Sequence, residues 1–253
     1  MGMTIDLSGR TAVITGASRG LGEAMAKALA EAGAHIALVA RDVQRLEAVR
    51  AAITERGGTA AVFTADVTRE GDVAALAKAV HERFGHPQIL INNAGINLRR
   101  QLVDYSLEEF RGIVDASLTS TFLVSRAFVP GMKGTGYGRV LNLTSIMSHV
   151  SLPERTAYSS AKAALLGFTR ALAQELALEG ITVNGISPGP IATEMNALIV
   201  NDPQLSATFL ANVPVGRWGT VEEIGALACY LCSDHAGFIT GTDILIDGGW
   251  TAK

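Results

Sequence analysis

The chain has 253 residues, 48% hydrophobic and 18% charged, with a formal net charge of −3. That length suits one large α/β domain, the composition excludes a disordered chain, and the charge gives no electrostatic reason to expect nucleic acid or an anionic membrane as partner. The two cysteines exclude a disulfide framework, no uninterrupted apolar run approaches the ~18 residues of a membrane span, and Asp6 stands where a secretion signal needs a basic and then apolar start, so a cytoplasmic protein is expected.

Short apolar, β-branched runs alternate with longer Ala-, Leu-, Glu- and Lys-rich stretches. Strands are predicted at 11–15, 35–40, 59–65, 88–92, 138–144, 181–187 and 243–247. Helices are predicted at 20–32, closed by Gly33, and at about 42–56, 69–84, 107–132, 156–179 and 220–233. Such alternation reads as βαβ units, hence a doubly wound, seven-stranded parallel sheet with helices on both faces. A single domain spanning 1–253 is expected. The stretch 188–219 breaks the rhythm with Pro188, Pro190, Pro203 and Pro214 and is predicted to be a substrate loop.

The first strand runs into Thr15-Gly16-Ala17-Ser18-Arg19-Gly20-Leu21-Gly22 and then a helix. Glycine lets a backbone approach a pyrophosphate, and a helix N-terminus offers free N–H groups and a positive dipole end. The structural alternative is an ordinary glycine-rich turn; the strand–turn–helix context favours a dinucleotide. Asn92-Asn93-Ala94-Gly95 follows the fourth strand. Tyr158 and Lys162 form a YxxxK pattern, with Ser145 thirteen positions before the tyrosine. Ser187-Pro188-Gly189-Pro190-Ile191-Ala192-Thr193 follows the sixth strand, and Ile246-Asp247-Gly248-Gly249 the seventh.

Taken in order, these motifs resemble the short-chain dehydrogenase/reductase family over almost the whole chain. The resemblance implies a Rossmann-like fold, a nicotinamide cofactor and a homotetramer with the 156–179 helix and the C-terminus in its interfaces. It places Gly16, Ser18, Arg19, Gly20, Leu21, Gly22, Asp66, Val67, Asn93, Ala94, Gly95, Tyr158, Lys162, Pro188, Gly189, Ile191 and Thr193 around the cofactor. Asp66 could instead cap a helix.

NAD-binding chains carry an acid near the end of the second strand for the ribose 2′-hydroxyl. Here that place is Ala40, followed by Arg41, with Arg19 in the glycine turn. Two guanidiniums suit a 2′-phosphate, so NADP(H) is expected over NAD(H). Asp42 would act as the ribose acid if the register slipped by two.

Tyr158 and Lys162 lie one helical turn apart, on one face. A nearby ammonium and an oxidised nicotinamide both favour the phenolate, which makes the tyrosine an acid or base near neutral pH. The resemblance gives Lys162 the nicotinamide ribose and Ser145 the substrate oxygen. It also expects an asparagine where this chain has Ser117, so the water-held proton relay through Ser117 is weaker here. Met147, His149, Arg99 and Arg155 flank the cleft as candidate substrate contacts; solvated side chains are the alternative for the arginines and His149. Cys229-x-x-Cys232 lies late in an apolar helix and is read as buried and structural, with no metal.

The predicted activity is hydride transfer between NADP(H) and a carbonyl or secondary alcohol. The 194–225 region resembles gluconate 5-dehydrogenase-like sugar-acid enzymes, which points to a sugar acid, polyol or other small hydroxy or keto substrate. It also resembles 3-oxoacyl-carrier-protein reductases. A nucleotide-sensing protein with negligible turnover is the alternative of another class, which Ser117 favours and the complete Ser–Tyr–Lys set disfavours.

Overall fold

A computed structural model describes residues 4–252; Met1–Met3 and Lys253, the ends of the predicted domain, lie outside it. Seven strands form one parallel sheet: β1 (Thr11–Thr15), β2 (His35–Ala40), β3 (Thr59–Thr64), β4 (Ile89–Asn92), β5 (Gly138–Leu143), β6 (Ile181–Pro188) and β7 (Asp243–Ile246). Their order across the sheet is β3-β2-β1-β4-β5-β6-β7.

The strand interiors are apolar on both faces because both faces are covered. Side chains alternate across a strand. Ile14, Ile36, Leu38, Ile89 and Ile91 join a core under α1 (Gly20–Glu31), α2 (Val43–Glu55) and α9 (Val221–Cys232). Val13, Val39, Leu90, Val140 and Val183 face the opposite core, beneath α3 (Glu70–Phe84), α5 (Ser120–Phe128) and α6 (Thr156–Leu176). Ile14 and Leu90 are fully buried, and each such side chain contributes roughly 1.5–3 kcal/mol.

The predicted helix at 107–132 is interrupted. Its first part, α4 (Leu107–Val114), starts from a capping box of Ser106 and Glu109. A π-helical turn then spans Asp115–Thr119, where the Ser120 N–H reaches the Asp115 carbonyl five residues back. After α5 the chain finishes in a 3₁₀ turn, Val129–Met132. The run is apolar enough by composition to cross a bilayer, but here it packs on the sheet as a core helix. The predicted 156–179 helix likewise ends its α-form at Leu176.

The 188–219 stretch is not plain loop. It contains α7 (Ala197–Val200) and α8 (Pro203–Leu210), the latter capped by the Asp202 carboxylate. Its ends are pinned together, with Gly219 N–H on the Pro190 carbonyl at 2.9 Å. Phe209 of α8 stacks on Trp218, centroids 5.6 Å apart, which holds the folded flap in shape.

The strand order reverses direction between β1 and β4. A crevice therefore opens above their C-terminal ends, the place where such sheets hold ligands.

Candidate active site

One cleft of about 970 Å³ occupies that crevice, at the upper end of the ordinary ligand-site range. Gly16, Ser18, Arg19, Gly20, Leu21, Arg41, Asp66, Val67, Asn93, Ala94 and Gly95 line one end. Ser145, Met147, Arg99, Arg155, Tyr158, Lys162, Pro188, Gly189 and Ile191 line the other, and Thr193 lies back against the glycine turn, its Cγ2 4.0 Å from where a Cβ on Gly20 would stand. All these positions were named from sequence.

The glycine turn is built for close backbone approach. A Cβ on Gly22 would stand 2.3 Å from the Gly16 carbonyl oxygen, so only glycine lets α1 start directly on the turn. Gly22 therefore acts by packing and does not itself line the cleft. Arg19, the residue before α1, makes no side-chain capping bond, so no side chain caps the first N–H groups of that helix. Free N–H groups at a helix start are what a pyrophosphate needs, and the cradle fits a dinucleotide.

Asn93 lines the cleft and also braces the glycine turn. Its amide donates to the carbonyls of Thr15 (2.9 Å) and Gly16 (3.1 Å) and so fixes the turn. The Thr15 hydroxyl in turn accepts from the Asn93 and Ala94 N–H groups at 3.0 and 3.1 Å. The Asp66 carboxylate accepts from the Thr68 hydroxyl at 2.7 Å, and this bond leads the effects that hold it below the usual carboxylate range. It closes a local turn and does not cap α3, whose leading residue is Arg69.

The second strand ends at Ala40, as predicted, and Arg41 and Asp42 follow it into the cleft wall. Asp42 caps α2, its Oδ1 accepting from the Arg45 N–H at 3.1 Å. The sequence reading missed Arg45 and Glu194. Both line the cleft, and their side chains meet at 2.9 Å. Arg19 approaches the same Glu194 oxygen at 3.5 Å. The flap and the glycine turn are thus joined through a carboxylate among guanidiniums, a long-range contact without a local signal.

At the other end, Tyr158 and Lys162 project from the first turns of α6. A buried polar chain holds that helix to the sheet: Asn92 donates to Asn142 at 2.9 Å, and Asn142 to the Thr169 hydroxyl of α6 at 2.9 Å. Lys162 is buried, its Nζ donating to the Leu143 carbonyl at 2.5 Å and lying 5.8 Å from the Tyr158 ring centroid. Burial alone lowers the Lys162 ammonium to about 8.

Without the nicotinamide, the electrostatics of Tyr158 are set by the protein alone. Desolvation is the largest effect on its phenol and raises it above its ordinary value, while the hydrogen bond from Ser145 and the charge of Arg155 pull it down. The protein by itself favours the neutral phenol. Burial outweighs the Ser145 hydrogen bond and the Arg155 charge. The Ser145 hydroxyl also accepts the Met147 N–H at 3.1 Å, which fixes the turn after β5.

Ser117 lies in the π turn, behind the cleft wall. Its hydroxyl is buried without a hydrogen-bond partner. A Cβ on Gly95 would be 3.5 Å from that oxygen and 3.7 Å from Lys162 Nζ, so the two groups flank the same glycine. His149 corrects the sequence expectation: it is not part of the cleft wall. Its Nε2 sits 2.6 Å from the Asp243 carboxylate, which Ser187 also holds at 2.6 Å. Cys229 and Cys232 are free and buried, and burial pushes the Cys229 thiol up to about 12, as suits inert core residues.

Known proteins are similar along nearly the full length. A family model described as enoyl-(acyl carrier protein) reductase matches residues 16–251. The 3-oxoacyl-[acyl-carrier-protein] reductase of Vibrio cholerae is 38% identical over 97% of this chain and 98% of its own. Gluconate 5-dehydrogenase of Gluconobacter oxydans is 34% identical over 98% of this chain and 96% of its own. A crystal structure of a gluconate 5-dehydrogenase from Burkholderia cenocepacia, in complex with NADP and tartrate, superposes with a TM-score of 0.94 at 32% identity, covering 99% of this chain and 98% of that one. The glycine turn, the Ser145–Tyr158–Lys162 cluster and these likenesses converge: the chain belongs to the short-chain dehydrogenase/reductase family, oxidoreductases acting on CH–OH groups.

Proposed function

We propose that the protein transfers a hydride between NADP(H) and the carbonyl or secondary alcohol of a small hydroxy or keto compound of the sugar-acid or polyol kind. The observation that carries this reading is the convergence of Ser145, Tyr158 and Lys162 at one end of a cleft whose other end is a glycine turn. The glycine turn and the first N–H groups of α1 would hold the pyrophosphate. Lys162 would hold the nicotinamide ribose, and Pro188, Gly189, Ile191 and Thr193 the neighbouring face. When bound, the nicotinamide supplies or accepts the hydride.

For reduction, Ser145 orients the substrate oxygen by a hydrogen bond and Tyr158 donates a proton to it as the carbon gains hydride. The raised phenol pKa keeps that proton in place beforehand. For oxidation, Tyr158 takes the alcohol proton, which requires added positive charge beside it. After reduction Lys162 returns a proton to Tyr158 by way of the pocket it shares with Ser117, and after oxidation the proton leaves Tyr158 by the same route.

NADP(H) is preferred over NAD(H) in this reading. Arg19, Arg41 and Arg45 line the adenosine end, while Asp42 is spent on capping α2. The NADP complex of the Burkholderia relative supports the same preference. A 3-oxoacyl-carrier-protein reductase is the second reading, favoured by the Vibrio relative. A homotetramer, with α6 in an interface, is proposed as the working assembly. The test is an absorbance screen with NADP⁺ and NAD⁺ against gluconate, polyols, hydroxy acids and β-ketoesters. Turnover with NADP⁺ and one of these classes is the expected result; absence of turnover with tight NADPH binding would favour a nucleotide sensor.

A further inference from the structure

Among the described residues two arginines are buried, and the fold treats them differently. Arg139, 4% exposed, spends its guanidinium on backbone carbonyls, donating to Gly138 at 2.8 Å and Ser233 at 3.2 Å. Arg155, 7% exposed, has an Nη1 that is buried with no hydrogen-bond partner among the described residues, and no ion pair reaches it. A buried guanidinium is strongly disfavoured unless charge or hydrogen bonds compensate it. The uncompensated one faces the cleft.

Its surroundings pull both ways: Tyr158, Glu154 and Tyr105 favour the charge, but burial and Arg99 outweigh them. Arg99 lines the same wall, and after burial its positive charge is the next effect pushing the Arg155 pKa down. The neighbouring Arg100 N–H is tied to the Glu154 carbonyl at 3.3 Å, so the strand-end loop carrying Arg99 is fastened beside Arg155. Glu154 has φ 66, the one non-glycine residue with positive φ among those described. Left-handed backbone at such a residue is strained and persists where the surroundings over-determine it, often at ligand clamps. It sits immediately before the orphaned guanidinium. Tyr158 is three residues further on, close enough for Arg155 to act electrostatically on its phenol.

We infer that Arg155 is the anchor for an oxyanion carried by the substrate, a carboxylate or a phosphate ester, a few bonds from the carbon that exchanges hydride beside Tyr158. A guanidinium offers the planar donor pair that such anions accept. The inference deepens the oxidoreductase reading and rests on it for turnover, but the anion site can be tested without catalysis. It favours hydroxy and keto acids or sugar phosphates over neutral polyols. It also disfavours carrier-bound thioesters, which are uncharged near the reacting carbon.

The decisive comparison is kcat/KM for hydroxy acids, their uncharged amides and phosphate monoesters of the matching polyols, in wild type, Arg155→Lys and Arg155→Gln. The wild type is expected to prefer one anionic series over the amides by about 100-fold, the size of a charged hydrogen-bond pair. The preferred series tells carboxylate from phosphate. Arg155→Gln should collapse that preference, mainly through KM, and Arg155→Lys should keep part of it. NADPH fluorescence titration reports whether each variant retains a folded cofactor site. In parallel, malonate and inorganic phosphate are titrated against the NADP⁺-bound protein. At least one should raise the wild-type melting temperature and neither should raise that of Arg155→Gln. Should Arg155→Gln not fold, the wild-type preference and the Arg155→Lys result decide. Equal rates on acids, phosphates and amides in the wild type overturn the inference, and so does a preference that survives Arg155→Gln. If no compound turns over but anion stabilisation is lost in Arg155→Gln, the oxidoreductase reading fails and the anion site stands. If neither anion stabilises the wild type, the anion site fails.

Discussion

The Lys162 ammonium donates to the carbonyl of Leu143, the last residue of β5, at 2.5 Å. One bond thus ties the helix bearing Tyr158 to the strand that leads into Ser145. The bond holds a charged group in a site where burial lowers its pKa to about 8, from an ordinary lysine value of 10.5.

That lowering sets a pH dependence for stability. Below about pH 8 the lysine is charged in both folded and unfolded states, and its burial penalty of about 3 kcal/mol applies in full. Between 8 and 10.5 the unfolded chain binds more protons than the folded one, so stability rises with pH and the penalty fades. Lys162→Met should therefore raise the melting temperature of the cofactor-free protein at pH 7, with the gain shrinking towards pH 10.5, even as turnover collapses. A melting-temperature series across that range checks it; a gain independent of pH would contradict the desolvation account.

Tyr158→Phe removes one oxygen and leaves the ring. Loss of general acid–base catalysis should cut kcat by about 10³-fold, within the usual span for such groups, with NADPH affinity changed far less. Stopped-flow turnover beside a fluorescence titration separates the two effects. A variant that kept near-normal kcat would show that the proton comes from elsewhere.

Ser117 carries a buried hydroxyl with no partner, which contributes nothing to stability as it stands. Ser117→Ala should hold or raise the melting temperature and, if the hydroxyl helps resupply the proton, lower kcat about 10-fold near neutral pH with less effect at alkaline pH. Ser117→Asn must fit a larger group beside Gly95, and its rate near neutral pH should fall. Matched pH–rate profiles of the three proteins give the answer.

Arg19 and Arg41 should act on one cofactor only. Replacing either by alanine is expected to raise KM for NADPH by about 10- to 100-fold, as lost charge-assisted bonds do, and to leave KM for NADH nearly unchanged. The wild-type KM for NADPH should also rise with salt, because these guanidiniums are exposed. Equal effects on both cofactors would place the 2′-phosphate elsewhere.

Much of this was legible before any coordinates. Strand and helix positions followed from local apolar periodicity, and the glycine turn from a motif whose residues are contiguous. The misreadings have a common cause. The helix at 107–132 looked continuous because a π turn at Asp115–Thr119 has no composition signature. His149 was placed near substrate by its closeness in sequence to Ser145, but Asp243 on β7, 94 positions away, holds it. Arg45 and Glu194 were missed because 149 positions separate them.

The sequence by itself determined the architecture and, through motifs that resemble the family's, the positions that line the cleft, because these depend on periodicity, glycine geometry and residue chemistry within short stretches. Only the tertiary structure decided the electrostatics. Whether Tyr158 is raised or lowered, whether Lys162 keeps its charge and whether Arg155 has a partner all depend on how much water the packed chain removes from each group. That quantity belongs to neighbours brought together from distant parts of the chain.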